Sequence, residues 1–270
     1  MALIFPPRPD AGSHDLKGFF AELHALEDDK GSESFVAACA EALAKLANNR
    51  DLIGTHVAAL GSAEDWAKRF SPPQSFFLGQ TNRFAVRANV WLPPKAESSA
   101  VGKLERKLYA YELAHNHDVN FLTVGYFGPG YETDLFEIDD SAVAGEPGEK
   151  VDLGSPRRAR LSQGTVIYFR AHKDIHIQHE PPSLSISINL MFDTERNGRD
   201  QLLFDVENKR VVGPPPGGTT GRWEGLLRLA AIAGDPETDW LLAKIAAEHS
   251  NRRLADLAAA ELAARQAAAH

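Results

Sequence analysis

Cysteine is almost missing from this chain: Cys39 is the only one among 270 residues. A lone thiol excludes an intrachain disulfide and a thiolate metal cluster within one chain, and it fits a reducing, cytoplasmic setting. Basic residues are in deficit too. Twenty-nine Lys and Arg stand against 37 Asp and Glu, a formal net charge of -8. With no basic stripe interleaved with aromatics, the composition argues against a nucleic-acid partner. No stretch approaches the roughly 18 consecutive apolar residues of a membrane span, so none is expected. The opening MALIFPPRPDAGS has three prolines in its first nine residues, no basic start and no useful apolar run, so no secretory signal is expected. Gly-x-Gly-x-x-Gly, a phosphate loop ending in Lys-Ser/Thr and Gly-x-Ser-x-Gly are all missing, which removes those warrants for nucleotide or serine-hydrolase chemistry.

What is present divides into three parts: a helical region over 1–75, a β-rich region over 76–212, and a linker with C-terminal helices over 213–270. Ser13 is a cap candidate before Leu16, Phe19, Phe20, Leu23 and Leu26; Ser32 precedes Phe35, Val36, Cys39, Leu43 and Leu46 on one helical face. Shorter helices are expected over 52–60 and 63–70, stopped by Ser71-Pro72-Pro73. From residue 76 the apolar period falls to two, as Phe84, Val86, Ala88 and Val90 alternate with Arg83, Arg87 and Asn89. The shared parity of Tyr109, Tyr111, Leu113 and His115 predicts a strand over 107–117. Another is expected over 119–127, closed by Gly128-Pro129-Gly130, with 131–139 as its hairpin partner. Short strands follow over 159–171, 175–178 and 184–193, then a hairpin over 201–212 turning near Glu207-Asn208. The fold class is mainly β with helical flanks, and many short strands predict a barrel or sandwich core. After the Pro/Gly-rich linker 213–221, two or three helices are expected. The last carries a thin stripe of Leu254, Leu257 and Leu262, suited to the N-terminal helices or a second subunit.

Five of the ten histidines lie between 115 and 179: His115, His117, His172, His176 and His179. On a strand, residues i and i+2 share a face, so His115 and His117 would aim at one point. Across an antiparallel barrel His176 would face them. Three imidazoles then offer nitrogens at roughly 2.0 to 2.2 Å from one divalent ion and leave other positions open. His14, His24, His56, His249 and His270 lie in helices or at the terminus and read as ordinary polar residues. By parity Gln178 follows His176 inward, and Asn189 joins Ser185 and Ser187 there. Tyr168 and Arg170 share a face, where Arg170 would grip a substrate carboxylate with its fork. Glu132 and Asp134 are candidates for a ligand or a base, with a hairpin's solvent face as the ordinary alternative.

His-x-His, a following strand, a glycine-containing turn, then Gly164 with His176 twelve residues on: this order resembles the two motifs of the cupin superfamily, over roughly 107–192. The resemblance implies a double-stranded β-helix, or jelly-roll barrel, with a metal inside. His115 and His117 take the first-motif roles and His176 the second. Family members often carry a glutamate four or five residues after the second histidine; residues 118–122 read DVNFL instead. The glycine before the first histidine is absent, and RAHKD replaces the Pro-x-Gly turn of the second motif. The implied ligand set is therefore three histidines, with Asp118, Asn120, Glu132 and His172 open as a fourth.

Family tendency and open coordination imply a non-haem Fe(II) oxygenase using O2 on a small polar metabolite, with Arg170, Tyr168 and Glu132 as candidate catalytic residues. Two alternatives stand beside it. One is an isomerase, lyase or hydrolase using Zn, Mn or Ni as Lewis acid; the other is a ligand-binding barrel without catalysis. Cupin habit also implies a homodimer.

Overall fold

The computed structural model describes residues 1–27, 32–61, 74–94, 99–192, 199–215 and 218–268. Two N-terminal helices form where capping side chains meet apolar stripes. Helix α1 (Leu16–His24) is capped by Asp15, whose carboxylate accepts from Gly18 N at 2.7 Å, so the cap is Asp15 rather than Ser13. Helix α2 (Glu33–Asn48) is capped by Ser32 as expected, its hydroxyl accepting from Phe35 N at 3.1 Å. A third helix, α3, spans Leu52–Gly61. The helix expected over 63–70 lies outside the described residues.

Beneath them is a six-stranded antiparallel sheet. Its strands are β1 (Leu3–Phe5), β2 (Ser75–Gln80), β3 (Phe84–Trp91), β4 (Phe121–Phe127), β7 (Val166–Phe169) and β9 (Ser185–Phe192), in the order β1-β7-β4-β9-β3-β2. Strand alternation gives this sheet two unlike faces. Phe84, Val86, Ala88, Leu122, Val124, Ile188 and Leu190 turn outward and bury against Phe19, Leu23, Phe35, Leu43 and Leu46 of the helices. At roughly 1.5 to 3 kcal/mol for each large apolar side chain removed from water, this contact is a major stabiliser. The other face carries Trp91, Phe121, Ile167 and Phe169 into a second core with Tyr131, Leu135 and Leu161.

Tyr131, Leu135 and Leu161 belong to an opposing layer. It contains β5 (Glu132–Glu137), β6 (Arg157–Arg160) and β8 (Asp174–Gln178) in the order β6-β5-β8, and the hairpin β10 (Leu203–Asp205)–β11 (Arg210–Gly213). Single bridges from His115 to His176 and to Leu203 tie the two pieces together. The expected final hairpin is therefore present. The chain is mainly β with helices, as expected, and among the described residues hydrogen bonding does not close the two facing layers into a barrel.

Two expected elements are corrected. The strand over 107–117 is replaced by helix α4 (Ala100–Tyr109), capped by Ser99 and ended by Ala110 in the left-handed region, φ 54°. Beyond it the chain is irregular up to β4. The hairpin from β4 to β5 does not form either: β5 pairs with β6 and β8 in the other layer. Gly128-Pro129-Gly130 is the crossing between layers. Gly130 has φ 75°, and a Cβ there would overlap the Leu161 carbonyl oxygen, so this crossing requires glycine.

The C-terminal helices α5 (Thr219–Ala233), α6 (Pro236–Glu248) and α7 (Arg252–Ala268) pack on one another. Leu254, Leu257 and Leu262 meet Leu227 and Leu242 there, so the α7 stripe is used within this unit and not on the N-terminal helices. No described helix is long and apolar enough to cross a membrane.

Candidate metal centre

The three motif histidines meet between the layers. His115 and His176 exchange backbone hydrogen bonds, N to O at 3.1 and 2.9 Å, which brings the irregular segment after α4 alongside β8. Asn116, between the two histidines, turns away and anchors the segment. Its Oδ1 accepts from Leu202 N at 2.7 Å and its Nδ2 donates to the His172 carbonyl at 3.3 Å. His172 N in turn donates to the His117 carbonyl at 2.8 Å. The backbone around the pair is therefore fixed without a regular strand, and both imidazoles still turn to one point.

The ring geometry is specific. His176 Nε2 lies 3.0 Å from His115 Nε2 and 3.0 Å from His117 Nε2. His115 Nδ1 lies 2.8 Å from the Leu113 carbonyl, an acceptor only, so Nδ1 carries the proton and Nε2 presents its lone pair. A ring nitrogen has one in-plane position, either N–H or lone pair. His176 Nε2 therefore cannot donate to His115 and accept from His117 at once, and hydrogen bonding satisfies only one of its two contacts. A divalent ion accepts all three lone pairs. Two nitrogens about 2.1 Å from one ion and about 90° apart would lie about 3.0 Å from each other, so the residues fit.

Burial sets the charge state. It pushes the pKa of His115 down, and that of His117 and His176 well down, with repulsion from the other rings adding at His117 and His176 and the Arg87 guanidinium adding at His117. Neutral imidazoles are the form a metal takes. Thr133 Oγ1 stands 3.4 Å from His176 Nδ1, behind the ring. Phe121 and Phe169 stack at 4.9 Å and wall the site, Phe121 packing edge-on to His117 at 4.6 Å and Phe169 lying 4.8 Å from His176.

The other sequence candidates lie elsewhere. Among the described His, Cys, Asp and Glu residues, only His115, His117 and His176 gather closely enough to share an ion. His172, Asp118 and Glu132 are outside that group, and Asn120 Oδ1 accepts from Ala171 N at 2.7 Å. Glu132 lies on the outward face of β5, paired with Arg160 at 2.6 Å, while its neighbour Thr133 faces His176. Tyr168 packs in the helix-facing core, on the opposite side of β7 from Phe169; burial raises its pKa to about 12. Arg170 forks onto Asp174 at 2.7 and 3.0 Å and reaches Glu137 at 3.0 Å. The structure thus separates these three from the histidines. Gln178 and Asn189 are buried on inner faces as parity indicated, Asn189 accepting from Thr123 Oγ1 at 2.7 Å. Sequence reasoning missed Leu113, Asn116, Thr133, Phe121 and Phe169. Of these, only the buried asparagine inside His-x-His carried a signal.

No family model and no curated protein matches the sequence. Solved structures overlap it in part. Hydroquinone 1,2-dioxygenase from Sphingomonas sp. TTNP3, with 4-hydroxybenzoate bound, is 10% identical, with a TM-score of 0.29 over 48% of this chain and 71% of its own. Hydroquinone 1,2-dioxygenase PnpCD, in complex with Cd2+ and 4-hydroxybenzonitrile, is 11% identical, with a TM-score of 0.28 over 48% and 70%. The Fe(II) form of HppE is 12% identical, with a TM-score of 0.26 over 44% and 48%. Overlap this slight does not establish a shared fold, and the chemistry is taken from the side chains alone.

Proposed function

We propose that this chain is a metal-dependent enzyme that holds Fe(II) on His115, His117 and His176 and uses O2 to oxidise a small polar metabolite. The observation that carries the metal is His176 Nε2 at 3.0 Å from two other imidazole nitrogens, a contact set that hydrogen bonds cannot satisfy. The resemblance of the two histidine motifs to cupins supports iron and O2 within that reading, and facing antiparallel layers with the cluster between them suit a cupin-like double-stranded β-helix. Bound iron supplies one-electron chemistry with O2 that amino-acid side chains lack.

The chain's own residues supply the rest. Leu113 fixes the tautomer of His115. His115 and His176 hold each other's backbone, so the ligands are positioned before an ion arrives. Phe121 and Phe169 keep water from one side of the cluster. Three neutral ligands leave the ion's double charge uncompensated, which favours an anionic group beside it.

The test is oxygen uptake by Fe(II)-reconstituted protein over a panel of small polar metabolites, with His176→Ala alongside. Uptake with at least one compound, requiring iron and lost in the variant, is the expected result. An imidazole set also suits zinc. Stoichiometric zinc in the purified protein, with no oxygen uptake on any compound after iron loading, would replace oxidation with Lewis-acid isomerase, lyase or hydrolase chemistry.

A further inference from the structure

Among the described residues Arg87 has no hydrogen-bond or ion-pair partner. It is half-buried on β3, and its Nε is shut off from solvent with no hydrogen-bond partner. Arg170 and Arg158, by contrast, are ion-paired: Arg170 is forked onto Asp174, and Arg158 onto Asp134. The acidic group that faces Arg87, Asp118, is felt electrostatically but forms no ion pair with it. An arginine remains charged in proteins, and a buried charge without a counter-ion is costly. The fold tolerates that cost at this position.

The position is on the inner face of the six-stranded sheet. Arg87 is opposite Asn189, and Asn189 is opposite Thr123, so these three lie in one row across β3, β9 and β4. The next row holds Ala85, Met191 and Phe121, and Phe121 packs on His117. Beside Arg87, its β2 partner Phe77 joins Ala85, Met191 and Val119 in lining a cleft of about 300 Å³ at the end of the sandwich. Arg87 does not itself line that cleft; its strand partner Phe77 does, and the Arg87 charge reaches His117.

We propose that Arg87 is the anion-binding residue of this centre and that the substrate carries a carboxylate. The planar fork matches a carboxylate through two parallel hydrogen bonds. Its row neighbours Asn189 and Thr123 are uncharged, and the nearby cleft carries the guanidinium of Arg83. This inference rests on the metal reading and adds the substrate class to it.

The experiment is calorimetric titration of the full chain, iron-loaded and metal-free, with acetate and benzoate and with their neutral amides, acetamide and benzamide. In wild type at least one acid is expected to bind ten-fold or more tightly than its amide. Arg87→Met is expected to erase that preference while leaving iron content unchanged, and Arg87→Lys to keep part of it. Equal affinity for each acid and its amide in wild type, or an undiminished preference in Arg87→Met, would overturn the proposal. The wild-type comparison needs no variant, so it decides even if Arg87→Met fails to fold. The metal-free titration separates this inference from the metal reading, which iron content scores by itself.

Discussion

At the scale of single residues, burial decides what each titratable group can do. His115, His117 and His176 are held neutral by desolvation, with repulsion from the neighbouring rings adding at His117 and His176, and their pKa values lie below the ordinary 6.5. The sign for stability follows. In the unfolded chain these groups take up protons near pH 6.5, and in the folded chain only at lower pH. The unfolded state therefore binds more protons in that window, and stability present above pH 6.5 is lost as pH falls below it. We expect the melting temperature of metal-free protein to drop between about pH 6.5 and 5, and the drop to shrink in His176→Ala. A melting temperature flat across that window would contradict the burial argument. Cys39 is the opposite case. Buried in α2, its thiol is pushed up to about 12. We expect no reaction with a thiol reagent in native protein at pH 8 and one equivalent in denaturant.

At the scale of elements, the polar face of β3 is where a reading from periodicity meets its limit. Alternation of Phe84, Val86, Ala88 and Val90 with polar residues correctly marks a half-buried strand. It also suggests that Arg87 and Asn89 face water. In the structure the apolar face meets helices and the polar face turns inward toward the second layer, because two layers share this sheet. Pattern alone cannot say which faces a neighbouring layer covers. The histidine trio was legible because His-x-His followed by a later histidine is a recognisable residue type and spacing. Its setting was not, since His115 and His117 are placed by pairing with β8 and by Asn116, contacts distant in sequence. The same applies to Arg170, whose candidate role depended on Asp174 being absent from its fork. Gly130 gives a direct check on the layer crossing. Gly130→Ala is expected to destabilise the protein by more than about 1 kcal/mol, read by denaturant unfolding, since it forces a side chain into left-handed backbone and onto the Leu161 carbonyl.

At the scale of the whole molecule, the apolar side chains gather in separate cores. The N-terminal helices cover the outer sheet face, β8 and the irregular segment paired with it hold the histidines, and α5 to α7 form their own core around Leu242, which is fully buried. Leu242→Ala is expected to cost about 2 to 5 kcal/mol in denaturant unfolding without changing metal content, because it opens a cavity in a core that the histidine cluster does not share.

The most direct measurement is elemental mass spectrometry of Fe(II)-reconstituted, desalted protein, with His115→Ala, His117→Ala and His176→Ala prepared identically. Near one equivalent of iron in wild type, with a sharp loss in each variant and unchanged far-ultraviolet circular dichroism, is the expected result. No stoichiometric metal in wild type, or full retention in all three variants, would contradict a shared ion between the imidazoles.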